Sequence, residues 1–290
     1  MLTLLTRLED TERIDAFLAT VIAGGHHEKR DNAAIFGALR LFPPDQAAAL
    51  LKRIVVGTAA TSLDACGDLL ARAVAASADG ATGLLGAAAE LVQALPGDPS
   101  RAPPRHPWQR APGLQPDLVV DLFNAVGRMN ETLAERAANH MLAWPKTYGL
   151  DTVLVPAIRQ MIGSVMIKDC TAVQRLRIAC VAHLCDRVAK PLEAPRDWRR
   201  AAKLGCQCPH CGELSRFLAD PERETWTLKA AEAARRHVEQ TIRKARCDLD
   251  VATHRRGSPH SLVCTKNQAS YDRRAKQRTQ DLVDLQRFEG

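Results

Sequence analysis

The chain has 290 residues, enough for one large domain or two ordinary ones with a sizeable buried core. Hydrophobic residues make up 46% and charged residues 25%, which excludes a disordered or collagen-like chain. Only 4% aromatics, with abundant Ala and Leu, argue for helices over a β-sandwich or barrel. The net charge of +7 is uneven: residues 1–190 hold 20 Lys and Arg against 19 Asp and Glu, and residues 191–290 hold 20 against 14. No stretch approaches eighteen uninterrupted apolar residues, so no membrane span is expected. The opening MLTLLTRLEDTER turns acidic at Glu9 and Asp10, too early for a secretory signal, and the chain reads as intracellular and cytoplasmic. Nine cysteines in that setting mean reduced thiols or metal ligands rather than disulfides.

In chain order, residues 11–22 place Ile14, Phe17, Leu18 and Val21 on one helical face. A helix over 32–41 follows, then Pro43-Pro44 punctuates, and Asp45 is a candidate cap for the next helix. Ser62 precedes another amphipathic run, and 81–95 is its expected partner. Seven prolines between Pro96 and Pro116 exclude a helix and predict a linker or surface loop. Helical patterning resumes at 117–127, 130–144, 150–166 and 171–188, with Asp117, Asn130 and Thr171 as candidate caps. In pairs these helices recur at roughly 35–45 residues, the scale of helical-hairpin repeats. Residues 1–192 therefore read as a HEAT-like α-solenoid, with an irregular bundle as the alternative.

Residues 193–290 read as a second, basic α+β module. A short basic helix is expected at 196–204, another from Gly212 to before Pro221, and a longer one over 228–246 carrying Arg235, Arg236 and His237. Residues 249–254 and 260–265 read as a β-hairpin turning at Gly257-Ser258, and 268–288 as a C-terminal helix with Leu282 and Leu285 on one side.

Cys206-x-Cys208-x-x-Cys211 is the most specific chemical signal. Three thiols within six residues converge on one ion when the backbone turns sharply, and Pro209 and Gly212 permit that turn. A Zn²⁺ ion takes four ligands in a tetrahedron, so the fourth comes from elsewhere. His237 is the first choice, with Cys247 the alternative in place of His237 or Cys206; His210, inside the knuckle, is expected to point outward. A closed site of four protein ligands does no chemistry and ties a small region together. Cys170, Cys180, Cys185 and His183 invite a second metal reading, but Cys180 and His183 fall on a strongly apolar helix where buried structural residues are usual. Asp248 and Asp250 read as solvated hairpin residues rather than a carboxylate dyad. Nucleotide-binding glycine motifs and a G-x-S-x-G elbow are absent from the sequence.

The ordered segments CQCPHCGELSRFLADP, RRHVEQTI and THRRGSPHSLVCTKNQASYDRR resemble the C-terminal region of large bacterial and fungal 2-oxoglutarate/Fe(II)-dependent oxygenase proteins of the prolyl-hydroxylase-like kind. Cys208, Cys211, His237, Gly257, Pro259 and Lys266 match that pattern, over roughly residues 204–275. The resemblance implies an oxygenase domain followed by helices, a Cys-rich knuckle and a GSP-turn hairpin. The oxygenase reaction needs a His-x-Asp/Glu pair with a distant His. Only His26-x-Glu28 fits formally, in the polar loop GGHHEKRD. The chain therefore reads as the non-catalytic part, with a protein partner or a missing oxygenase domain as its expected companion. Arg235, Arg236, Arg255, Arg256, Lys266, Arg273 and Arg274 form a candidate anion- or nucleic-acid-binding set, with affinity expected to fall steeply with salt. Interleaved acids and few aromatics weigh toward a solvated face instead.

Overall fold

A computed structural model describes residues 1–77, 81–98, 100, 113–163 and 170–289. Most of the Pro-rich stretch expected as a loop, and the end of the helix expected to reach 166, lie outside the described residues. The protein is mainly helical with one small three-stranded antiparallel sheet, and divides into two compact units: Met1–Asp186 together with Asp284–Gly290, and Arg187–Val283. No helix among the described residues is long and apolar enough to cross a membrane.

The first unit contains α1 (Leu2–Arg7), α2 (Thr11–Phe17), α3 (Asn32–Leu39), α4 (Pro44–Thr58), α5 (Leu63–Ala76), α6 (Leu85–Gln93), α7 (Pro116–Met129), α8 (Glu131–Ala143), α9 (Val155–Met161) and most of α10 (Thr171–Val188). Helix α4 packs on α6 and α5 on α7, next neighbours but one in the chain. Asp10 caps α2 by accepting from the Arg13 amide, and Asn130 caps α8 through the Leu133 amide, as the sequence suggested for Asn130. Asp45 and Asp117 are not caps. A proline at the first helical position, Pro44 or Pro116, starts each helix one residue earlier, leaving the acid in the first turn beside the helix dipole. The helix expected over 11–22 changes at Leu18 into one π turn, Leu18–Ile22.

The loop read as a polar connection, GGHHEKRD, contains a side chain that the sequence gives no reason to bury. His27 is 1% exposed; its Nε2 lies 2.6 Å from Asn32 Oδ1 and its Nδ1 3.2 Å from Thr58 Oγ1. The Asn32 amide donates to Ala65 O and Asp68 Oδ2, both at 2.8 Å, and Cys66 Sγ lies 3.2 Å from Thr58 Oγ1. A structural polar network inside a helical core thus occupies the place of the formal His26-x-Glu28 pair, whose own side chains are exposed.

The second unit holds α11 (Pro209–Ala219), β1 (Thr225–Lys229), α12 (Glu232–Ala245), β2 (Leu249–His254), β3 (Ser261–Lys266) and the greater part of α13 (Ala269–Glu289). Strand β3 is central, pairing antiparallel with β1 (Trp226 opposite Cys264) and with β2 (Val251 opposite Cys264). Gly257, at φ 78°, takes the left-handed turn of the expected hairpin. Two expectations fail here. The long helix expected from 228 starts at Glu232 instead, because Leu228 and Lys229 belong to a strand, Thr225–Lys229, whose TWTLK alternates and sends only Trp226 and Leu228 inward. Residues 196–204 are irregular rather than helical, because their amides go elsewhere: Trp198 N donates to Pro221 O and Arg200 N to Leu218 O, both at 2.9 Å.

The unit boundary falls slightly before the expected 192/193, and the chain's last turns return to the first unit. Phe288 is buried in that unit's core with Leu285 against it, and Asp284 receives a two-pronged hydrogen bond from Arg159 at 2.9 and 2.5 Å. Asp281 accepts two from Arg187, both at 2.6 Å, within the second unit. The buried side of α13 is therefore Asp281, Asp284 and Phe288 with Leu285 partly buried, while Leu282 is 48% exposed, so the two leucines expected on one side are not buried together.

Candidate metal centre

The local sequence builds the knuckle in a few residues. Pro209 occupies the first turn of α11, so the helix begins three residues earlier than expected, with Cys208 at its cap position and Cys211 inside it. The Cys211 amide then faces the Cys208 sulfur and holds that thiol down to about 7 against an opposing burial cost, with Cys211, Cys206 and His237 side chains adding to the effect. Cys206 precedes the turn and folds back over it. Helix α12 supplies His237 from its middle, and the Thr241 hydroxyl one turn later donates to His237 O at 2.9 Å, fixing that face of the helix.

His237 Nε2 lies 3.3 Å from Cys206 Sγ, 3.5 Å from Cys208 Sγ and 3.4 Å from Cys211 Sγ. All four ligand atoms lie within 4.8 Å of one another. A tetrahedral ion with sulfur at ~2.3 Å and imidazole nitrogen at ~2.0 Å puts each S···N pair about 3.5 Å apart. The three S···N distances match that spacing. Hydrogen bonding alone does not account for it: one ring nitrogen carries at most one N–H and cannot serve three equidistant sulfurs. Burial pushes the Cys211 thiol up to about 11 while Cys208 goes down, so these two do not ionise together unaided; a cation at the centre would favour the thiolate form of both. The four residues can hold a metal ion.

The sequence-derived ligand set and the observed cluster are the same four residues. Cys247 is not among them. It follows α12 beyond the left-handed Arg246, half-buried against the C-terminal core, with burial raising its thiol. His210 does not point freely outward: its Nδ1 is buried and has no hydrogen-bond partner among the described residues. The second metal reading finds no cluster among the described residues, since Cys180 is buried in the helical core and His183 Nε2 meets Asp151 Oδ1 at 2.9 Å. Asp248 is no solvated hairpin residue either: it caps α13 through the Ser270 amide and hydroxyl.

The seven basic candidates separate. Arg235 is 8% exposed and donates to Ala230 O, and Lys266 is 2% exposed and donates to Asp220 O, so neither stands on an open face. Arg236, Arg255, Arg256, Arg273 and Arg274 are exposed, Arg273 at 3.9 Å from Asp248. Compared with protein-family models, curated proteins and solved structures, the chain has no match.

Proposed function

We propose that the chain is a non-catalytic scaffold whose C-terminal unit is held in shape by a structural zinc ion on Cys206, Cys208, Cys211 and His237. The observation that carries this reading is the near-equal approach of three sulfurs to one imidazole nitrogen, at 3.3 to 3.5 Å. A soft set of three sulfurs and one nitrogen favours zinc over magnesium or calcium, and four protein ligands leave no position for substrate. The ten buried hydrophobic residues of this unit's core give it a reason to need such a tie.

The first unit, in this reading, is a HEAT-like array that presents a surface to a protein partner. Its α4–α6 and α5–α7 packing is compatible with stacked helical pairs. The knuckle, His237, the Gly257–Pro259 turn and Lys266 keep the order seen in oxygenase-associated C-terminal regions, and an oxygenase domain is the partner that order suggests. The test is elemental analysis of the purified full chain beside Cys208→Ser and His237→Ala. One zinc per chain, lost in both variants, is expected. Wild-type protein without stoichiometric metal, or His237→Ala with full metal content, overturns the assignment.

A further inference from the structure

On another part of the C-terminal unit, a cavity of about 470 Å³ opens between the irregular 195–200 segment and the end of β3. Two cations line it, and both are more than nine-tenths buried: Lys266, 2% exposed, and Arg200, 8% exposed. Neither has a carboxylate within ion-pair distance among the described residues. Of the nearby acids, Asp197 pairs with Arg199 at 3.2 Å, and the Asp220 carboxylate accepts the Glu222 and Arg223 amides. Asp272, also on the lining, is exposed at its mouth.

Arg200 gives Nε to Asn267 O at 2.5 Å and Nη1 to the carbonyls of Asp197 and Arg199, each at 2.8 Å. Its Nη2 has no partner among the described residues and is not sealed from the surface. Lys266 gives one of three N–H groups to Asp220 O at 2.7 Å and rests 4.4 Å over the Phe217 ring. Four N–H groups on two buried cations are left for a ligand. Burial holds the Lys266 ammonium below its ordinary value, and Arg200 and Arg223 add to that against the opposing pull of Asp220 and Asp197. Two like charges buried together with no carboxylate in ion-pair contact cost stability, and an anion between them offsets that cost.

We propose that this cavity binds the oxyanion of a small molecule, a carboxylate or a phosphate, clamped between Arg200 Nη2 and Lys266 Nζ, with the Trp198 ring as one wall. The fork geometry of a guanidinium beside a compact ammonium suits either group. The volume is that of an ordinary small-metabolite pocket, large enough for more than the anionic group alone. The site is separate from the Cys3His cluster and does not depend on which metal that cluster holds.

Calorimetric titration of the metal-replete full chain tests this, with inorganic phosphate in one arm and succinate in the other at constant ionic strength. Saturable one-site binding of either is expected, and the arm that binds names the group. Lys266→Met keeps the stem over Phe217 and is expected to weaken binding tenfold or more, with zinc content unchanged. Arg196→Glu, at the exposed mouth, reverses a charge without touching the core and is expected to weaken it several-fold. No saturable binding of either anion overturns the proposal. So does undiminished affinity in Lys266→Met, or in Arg196→Glu should Lys266→Met not fold.

Discussion

At the scale of single residues, Asp68 shows how this helical core tolerates charge. It is 8% exposed, yet it accepts from Asn32 Nδ2 at 2.8 Å and from Arg72 Nε at 2.6 Å, with Lys29 at 3.9 Å. Burial alone would raise its pKa, but the Arg72 and Asn32 hydrogen bonds and the Arg72 and Lys29 charges outweigh it, and the net direction is down. Asp121, on the other side of Lys29, goes up: burial, helped by the like charges of Asp68 and Asp117, outweighs the Lys29 pair. Asp68→Ala leaves Asn32 and His27 in a network missing its terminal acceptor, and is expected to cost about 1–3 kcal/mol at pH 7 by urea denaturation. The sign with pH follows from the lowered native value. The contribution of Asp68 is full above the unfolded carboxylate pKa near ~4 and is lost as pH falls through the lower native value, so the gap between wild type and variant should close in acid. A gap that stays constant to pH 3 would mean that the charge of Asp68 is not what the network uses.

Elements meet most closely where a side chain is missing. In α4, a Cβ added to Gly57 would stand 2.1 Å from Ala23 O, the backbone just past the π turn. A carbonyl oxygen cannot swing aside as a side chain can. Gly57→Ala should therefore destabilise by about 1–3 kcal/mol through overpacking, although alanine is the better helix former, and a raised thermal midpoint would contradict this contact. Long helices, the hairpin and the three cysteines of the Cys/His cluster were legible in the sequence because each has a local rule: helical periodicity, a Gly turn, or close thiol spacing. The departures share a different cause. The strand at 225–229 is too short for its alternation to stand out, and 196–204 is set by carbonyls at Leu218 and Pro221 that no local pattern foretells. The face of α13 was misread because Asp281 and Asp284 are buried only by virtue of Arg187 and Arg159, some ninety or more residues away. His27 was missed for the same reason, since Thr58 and Asn32 make its burial possible.

For the molecule as a whole, the two units differ in what holds them. The first rests on an extended core running from Leu2 to Phe288. The second has the cluster centred on Leu214, Phe217, Trp226 and Leu262, with α11 and α12 meeting at one end through the four side chains that can hold a metal. A core of that size leaves little margin once chain entropy is subtracted, so metal bound only in the folded state contributes directly to folding. Removing the ion with a strong chelator should therefore unfold Arg187–Val283 and spare Met1–Asp186. Hydrogen exchange resolved along the chain is the measurement. Amides of α11, α12 and β1–β3 should lose protection after chelation, and those of α4, α5 and α7 should keep it, with protection returning on added zinc. If α12 and β3 stay as protected without the ion as with it, the apolar cluster suffices by itself, and the thiols and His237 hold a metal that the fold does not require.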